Sequence, residues 1–235
     1  MKQTKEKAPS LKRMRLVGKA RSRGDMAYES LKRAIIRGDI APRQRLIETE
    51  LSVHLNMSRV PVREAIKKLE QDALIKKRKN GFVVRDLSRE DIEETYGLRA
   101  LLEGYAAYLA TERMTNELFK NLQDSMEAYR EALDAGDTKK LVQLNTQFHK
   151  IIYRTARSQR LYALIKNFRD SIHRYRTPLM SSPEYSRISL SDHEAMLAAM
   201  REKDMKKAEQ LLKRHVLGEK EIILKELESG KYKRR

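Results

Sequence analysis

The sequence predicts a mostly α-helical protein in two parts, a short N-terminal part with one hairpin and a longer part built only of helices. Three observations carry this. Charged residues make up 36% of the 235, while only nine glycines and five prolines interrupt them, a balance that favours helix. Apolar residues recur at spacings of three and four along most of the chain. A strand–turn–strand pattern occurs at ALIKKRKNGFVVRD, with Asn80-Gly81 at the tip. The length suits one large or two small domains with a real core.

Composition also narrows the chemistry. There is no cysteine, which excludes a disulfide framework and a thiolate metal site and accords with a cytoplasmic location. No stretch approaches ~18 consecutive apolar residues, so no membrane span is expected. The basic N-terminus lacks the apolar centre of a secretory signal. The net charge of +18 is unevenly spread: residues 1–24 hold nine Lys/Arg against one Glu, and residues 25–88 hold fourteen against nine. The longer part is nearly neutral except for the final KYKRR. A positive N-terminal third points to a polyanion partner; for residues 1–24 a solvated flexible arm is the alternative. The expected divisions are therefore 1–24 as a basic arm, 25–87 and 88–229 as folded units, and 230–235 as a basic tail.

In the N-terminal unit, MAYESLKRAIIRGD places Leu31, Ile35 and Ile36 on one helical face, with Gly38 as the stop. After a loop around Pro42, IETELSVHLN gives a short helix with Leu51 and Leu55 inward. Ser58 is expected to cap a third helix with its side chain, placing Val62, Ile66 and Leu69 on the buried face. Pro61 then falls in the first turn, where a missing N–H has no helical partner to lose. The hairpin follows.

Two short helices, a tight turn, a basic third helix and a basic hairpin read as a winged helix-turn-helix, whose third helix enters the major groove by its N-terminal end. Ser58, Arg59 and Arg63 would project there, arginine suiting guanine edges and phosphates. Lys79 and Asn80 at the hairpin tip would reach the neighbouring backbone or minor groove. The stretch from Leu46 to Val84 resembles the DNA-binding domain of the GntR family of bacterial transcription regulators, most specifically in Ser58-Arg-Val-Pro-Val-Arg-Glu-Ala65. The resemblance implies operator contacts from Thr49, Ser58, Arg59, Arg63 and the wing tip. Thr49 stands where arginine is common in that family, Ala73 where glycine is, and Asn80 where arginine is.

From Ser88 the pattern is helical throughout. Ser88 with Asp91 opens the first helix, which continues through Leu98, Leu102 and Leu109. A second carries Leu118, Leu122, Met126, Tyr129 and Leu133; a third Leu141, Leu144, Phe148, Ile151 and Thr155; a fourth Leu161, Leu164, Phe168, Ile172 and Tyr175. A fifth is expected to open at Ser191 with Glu194 closing a capping box, which puts His193 in its first turn. The sixth runs through DMKKAEQLLKRHVLGEKEIIL. Six amphipathic helices on short loops make an all-α bundle.

Asn145 and His149 lie one helical turn apart beside an apolar stripe, and His215 also faces the core. With His193 they could form a bundle metal site; hydrogen-bonded core histidines are the alternative. The half from about residue 90 to 227 resembles the FCD ligand-sensing domain of the FadR branch of the GntR family, through Asn145-x-x-Phe148-His149, Asp192-His-Glu-Ala195 and a final His215. Six helices would fit its VanR-type subgroup. The resemblance implies a divalent cation such as zinc or nickel, held by Asn145, His149, His193 and His215, which in turn holds a small carboxylic acid. Asn145 departs from the family's Asp and removes one charge. Arg99, Arg169, Arg174 and Tyr175 are the candidate cations and donors for that acid.

The sequence thus points to a metabolite-responsive transcription regulator, a repressor, binding a palindromic double-stranded operator as a homodimer. No convincing nucleophile–base pair supports the alternative of a helical-bundle metalloenzyme, and four protein ligands would leave its metal little room for chemistry. A constitutive nucleic-acid binder whose bundle only dimerises is the third reading.

Overall fold

The computed structural model describes residues 22–79, 81–173, 179 and 182–229. Helix α1 (Arg23–Arg37) starts at Ser22, whose side chain and Asp25 form a reciprocal capping box, and stops at Gly38 with φ 86°. That left-handed φ is one glycine adopts without steric cost. Strand β1 (Arg45–Leu46) leads into α2 (Glu48–His54), then α3 (Arg59–Gln71), β2 (Ile75–Arg78) and β3 (Gly81–Val84). The sheet order is β1-β3-β2, antiparallel throughout, with Arg45 opposite Val83 and Ile75 opposite Val84. The strand β1 adds to the expected hairpin; two residues are too few to show a period.

Val62, Ile66 and Leu69 of α3 are buried with Leu31, Ile35, Ile75 and Val84 in one cluster. Each such side chain is worth about 1.5–3 kcal/mol relative to exposure. Ile36 is only half-buried, as are Leu51 and Leu55. Pro61 is the third residue of α3, in its first turn, as expected. Ser58 is the backbone N-cap, but its side chain makes no capping bond. That corrects the expected role and leaves its hydroxyl at an exposed position.

The bundle comprises α4 (Arg89–Glu112), α5 (Asn116–Asp134), α6 (Thr138–Thr155), α7 (Gln159–Ser171), α8 (Pro183–Arg201) and α9 (Met205–Glu228). Ser88 and Asp91 form the expected capping box. Helix α4 packs most extensively on α9. A Cβ at Gly104 would lie 2.6 Å from Lys213 Cγ, so that close approach requires glycine.

Three expectations change here. Helix α8 begins at Pro183 behind the cap of Ser182, eight residues before Ser191, so His193 sits well inside it. The inward face of α4 includes Leu109 as expected, with Leu102 packed against the core, but is made mainly of Ile92, Tyr96, Ala100, Ala106 and Ala107, while Leu98 is 39% exposed. Leu164 of α7 is also exposed. Small residues on the inward face of α4 let α9 approach closely.

The two cores are separate clusters, bridged by ion pairs. Lys32 on α1, almost fully buried, sits 3.3 Å from Asp72 after α3 and 3.0 Å from Asp170 on α7. Its Nζ also donates to Tyr28 Oη at 3.1 Å. Arg85 pairs with Asp91 at 2.7 Å across the link into α4.

Candidate functional sites

The outer face of α3 presents Arg59, Val60, Arg63, Glu64 and Lys67 to solvent, with Ser58 at its start and Thr49 exposed on α2. The buried Val62, Ile66 and Leu69 fix which face this is. Lys79 is exposed at the hairpin tip beside exposed Lys77 and Arg78. Asn80 lies outside the described residues. Two basic residues of α3 are already engaged. Lys68 pairs with Asp25, holding that carboxyl down at about 2. Arg63 pairs with Glu48 of α2. Thr49, Ser58, Arg59, Arg63 and Lys79 are thus all exposed, and Arg59 and Arg63 share the outer face of α3.

In the bundle, α6 supplies Asn145 and His149, α8 supplies His193 and α9 supplies His215. All four are buried. The three histidines each offer a ring nitrogen, and these nitrogens lie within 4.8 Å of one another. The imidazole centroids are 5.0, 5.2 and 5.0 Å apart.

Their other contacts fix the ring orientations. His215 Nδ1 is 3.0 Å from Asp192 Oδ2, the carboxylate partner that metal-bound imidazoles commonly use. His149 Nδ1 is 3.2 Å from Tyr153 Oη. Tyr153 donates its own proton to Glu103, so its oxygen is left to accept from the ring. Ser189 Oγ lies 3.4 Å from His193 Nε2 and accepts from Asn145 Nδ2 at 3.0 Å. Phe148 stacks on His193 at 4.0 Å.

What remains is informative. His149 Nε2, His215 Nε2 and Asn145 Oδ1 are buried with no hydrogen-bond partner among the described residues. A buried polar atom left unmatched costs about 1–3 kcal/mol, and three acceptors in one core region fit a cation. Burial, reinforced by Arg169 and the neighbouring histidines, pushes His149 well below its ordinary range. That keeps the ring in the neutral form that ligates. The residues present therefore fit a divalent metal.

A charged shell adjoins the histidines. Arg99 Nε donates to Glu103 Oε1 at 2.6 Å and its Nη1 to Glu219 Oε2 at 3.1 Å. All three side chains are at most 1% exposed, and the guanidinium lies 4.5 Å from the Tyr96 ring centre. Tyr185 donates to Glu219 Oε1 at 2.6 Å, which is itself 3.9 Å from His215 Nε2. Arg169 Nη1 donates to Tyr153 Oη at 2.9 Å and to Glu103 Oε2 at 3.3 Å. Burial raises the Glu103 carboxyl, but Arg99 and Arg169 outweigh it and hold it below the usual carboxylate range.

Arg99 and Arg169 are therefore not bare cations awaiting an acid, as the sequence suggested; two buried carboxylates already balance them. Of the two guanidinium groups, Arg99 keeps one buried nitrogen, Nη2, without a hydrogen-bond partner among the described residues. Arg174 and Tyr175 lie outside the described residues. Sequence reasoning missed Glu103, Tyr153, Tyr185, Ser189 and Glu219. Their trace was polar residues one helical turn apart on buried faces, as in Arg99/Glu103 and His215/Glu219.

Comparison with known proteins agrees with both halves. Residues 23–84 match the sequence model of the bacterial regulatory proteins of the gntR family, and residues 94–218 match that of the FCD domain. The chain is 29% identical over 206 residues to the HTH-type transcriptional regulator YdhC of Bacillus subtilis, covering 87% of this chain and 92% of that protein. It is 27% identical to the HTH-type transcriptional repressor RspR of Escherichia coli, covering 80% and 83%. Among solved structures, E. coli McbR/YncC superposes with a TM-score of 0.71 at 24% identity, over 88% of this chain and 99% of that one.

Proposed function

Since the chain belongs to the gntR family of bacterial regulatory proteins and carries an FCD domain, it is a transcription regulator, and we propose that it is a repressor whose bundle binds a divalent metal and a small carboxylic acid. The observation that carries the metal reading is the buried His149, His193 and His215 set, with ring nitrogens within 4.8 Å, beside the unmatched Asn145 Oδ1. When bound, the metal supplies positive charge for an anionic ligand.

The chain's own residues do the rest. Asp192, Tyr153 and Ser189 orient the imidazoles. Asn145 offers a neutral oxygen, so the protein itself subtracts no charge at that ligand. Arg99 Nη2 offers one donor to an acid group, while Glu103 and Glu219 keep the guanidinium fixed. In the N-terminal unit, Arg59 and Arg63 read base edges, and Thr49, Ser58, Lys79 and Asn80 contact the surrounding backbone. For Thr49, Ser58, Arg59, Arg63 and Lys79 these roles rest on exposure and on the docking geometry of a winged helix-turn-helix; Asn80 takes its role from its place next to Lys79 in the sequence.

A palindromic operator calls for two copies. The face proposed to join them is the exposed stripe of Leu98, Leu101 and Tyr105 on α4 with Leu164 of α7, each 39% or more exposed. An apolar surface of that kind is more often covered than bare. Native mass spectrometry of the purified chain reports dimer mass, bound metal and any retained acid together. A metal-free monomer that retains no acid would overturn the reading.

A further inference from the structure

The face of α3 that would meet DNA has a carboxylate fastened to its central arginine. Glu48, the first residue of α2, grips Arg63 along one edge. Its Oε2 accepts from Nη2 at 2.9 Å and from Nε at 3.2 Å, and its Oε1 accepts from Nε at 3.3 Å. The pair is open to water, at 29% and 59% exposure, where an ion pair adds little to stability. In binding it is a liability, because an acid on this face repels phosphates and offsets the counterion release that drives association.

We propose that Glu48 is a specificity-determining positioning residue, which turns Arg63 from a phosphate contact into a guanine reader. This rests on the assignment of α3 as the recognition helix. An unrestrained arginine reaches the phosphate backbone readily, and that contact carries no sequence information. Fastened along Nε and Nη2, the guanidinium keeps its plane and direction. Its far end then presents Nη1 and the second Nη2 hydrogen as two parallel donors. Guanine offers the matching acceptors, O6 and N7, in the major groove. Among the described residues no hydrogen bond engages Nη1 of Arg63. The charge that weakens binding to every sequence thus sharpens the choice among them.

The test selects binding sites from a randomised duplex pool with the full chain, comparing the parent with Glu48→Ala, Glu48→Gln, Arg63→Ala and the double alanine variant. The parent should enrich a palindrome. Glu48→Ala should lose base preference at the same position of each half-site as Arg63→Ala, with discrimination there falling tenfold or more. Its affinity for a scrambled duplex should rise two- to fivefold, because one repulsive charge is gone. The double variant should match Arg63→Ala in base preference, since Glu48 shapes that preference only through Arg63, while binding a scrambled duplex more tightly than Arg63→Ala because the repulsive charge is gone. Glu48→Gln keeps the size of the side chain and carries the test should the alanine variant fold poorly. An unchanged preference in both Glu48 variants, or a loss at a different base pair from Arg63→Ala, overturns the proposal and leaves the recognition helix standing. A parent that enriches no sequence overturns the recognition helix, and the role of Glu48 with it.

Discussion

Arg169 and Asp170 are consecutive on α7, yet their side chains serve different halves of the molecule. Arg169 binds Tyr153 and Glu103 beside the histidines. Asp170 binds Lys32 of the DNA-binding half at 3.0 Å. One helix therefore touches the charged shell of the histidine cluster and the foot of the DNA-binding core through neighbouring positions.

Lys32→Met keeps the length of the side chain and removes its charge, leaving Asp72 and Asp170 facing each other across the junction. Loss of one partner from a largely buried ion cluster should cost about 1–3 kcal/mol. Scanning calorimetry should show the N-terminal core melting at a lower temperature than the bundle. A single transition at the parent temperature would show that Lys32 does not join the two.

The same junction should weaken in alkali. Burial and the bond to Asp72 push Tyr28 up to about 12 from an ordinary 10. Burial alone would lower Lys32, but Tyr28 and Asp170 outweigh it and hold it above its ordinary value. Between pH 10 and about 12 the folded chain keeps a Tyr28 proton that the unfolded chain has released. The stability this proton lends is complete below about pH 10 and is lost as pH rises toward 12; the raised Lys32 acts in the same direction. Denaturant midpoints measured across pH 9–12 should fall more steeply for the parent than for Tyr28→Phe.

Arg59 opens α3 on its exposed face. Arg59→Ala should cost roughly 1–3 kcal/mol of operator binding and relax preference at one position per half-site. Fluorescence anisotropy on matched and single-mismatch duplexes measures both. Equal affinity in variant and parent would remove Arg59 from the reading set.

Asn145→Asp places a negative ligand among three neutral imidazoles, and a charge counts for more at a buried site than in water. Metal should be held more tightly, while His149→Ala or His215→Ala should abolish retention without affecting operator binding. Metal content after dialysis against a weak chelator distinguishes these. If neither the parent nor Asn145→Asp retains metal, the three histidines are core residues.

Some elements were legible and others were not, for physical reasons. Helix α3 could be read because Val62, Ile66 and Leu69 recur on one face and Pro61 marks a first turn. The same logic does not stand out at Ser182-Pro183, because a second proline five residues upstream, Pro178, makes the stretch look like a loop. Strand β1 is too short to have a period. Ala73 replaces a common glycine in its family, and its φ of 55° shows why glycine suits that corner. The histidines stood out beside apolar stripes. The balanced cluster of Arg99, Glu103 and Glu219 did not, since an Arg and a Glu one turn apart ordinarily describe a solvent-facing pair.

The early start of α8 has a consequence for how the chain tolerates changes of length. Tyr185, Ser189 and His193 are spaced by four, so one uninterrupted helix delivers a phenol to Glu219, a hydroxyl to Asn145 and an imidazole to the histidine cluster. A helix advances about 100° per residue. Removing a single residue between Tyr185 and His193 would swing the upstream groups out of the core and leave Glu219 and Asn145 facing the wrong side chains. Outward positions such as Glu184 and Arg187 can vary in identity, but the count of residues across this stretch cannot. The segment is a ruler, and deletions should be far rarer in it than substitutions.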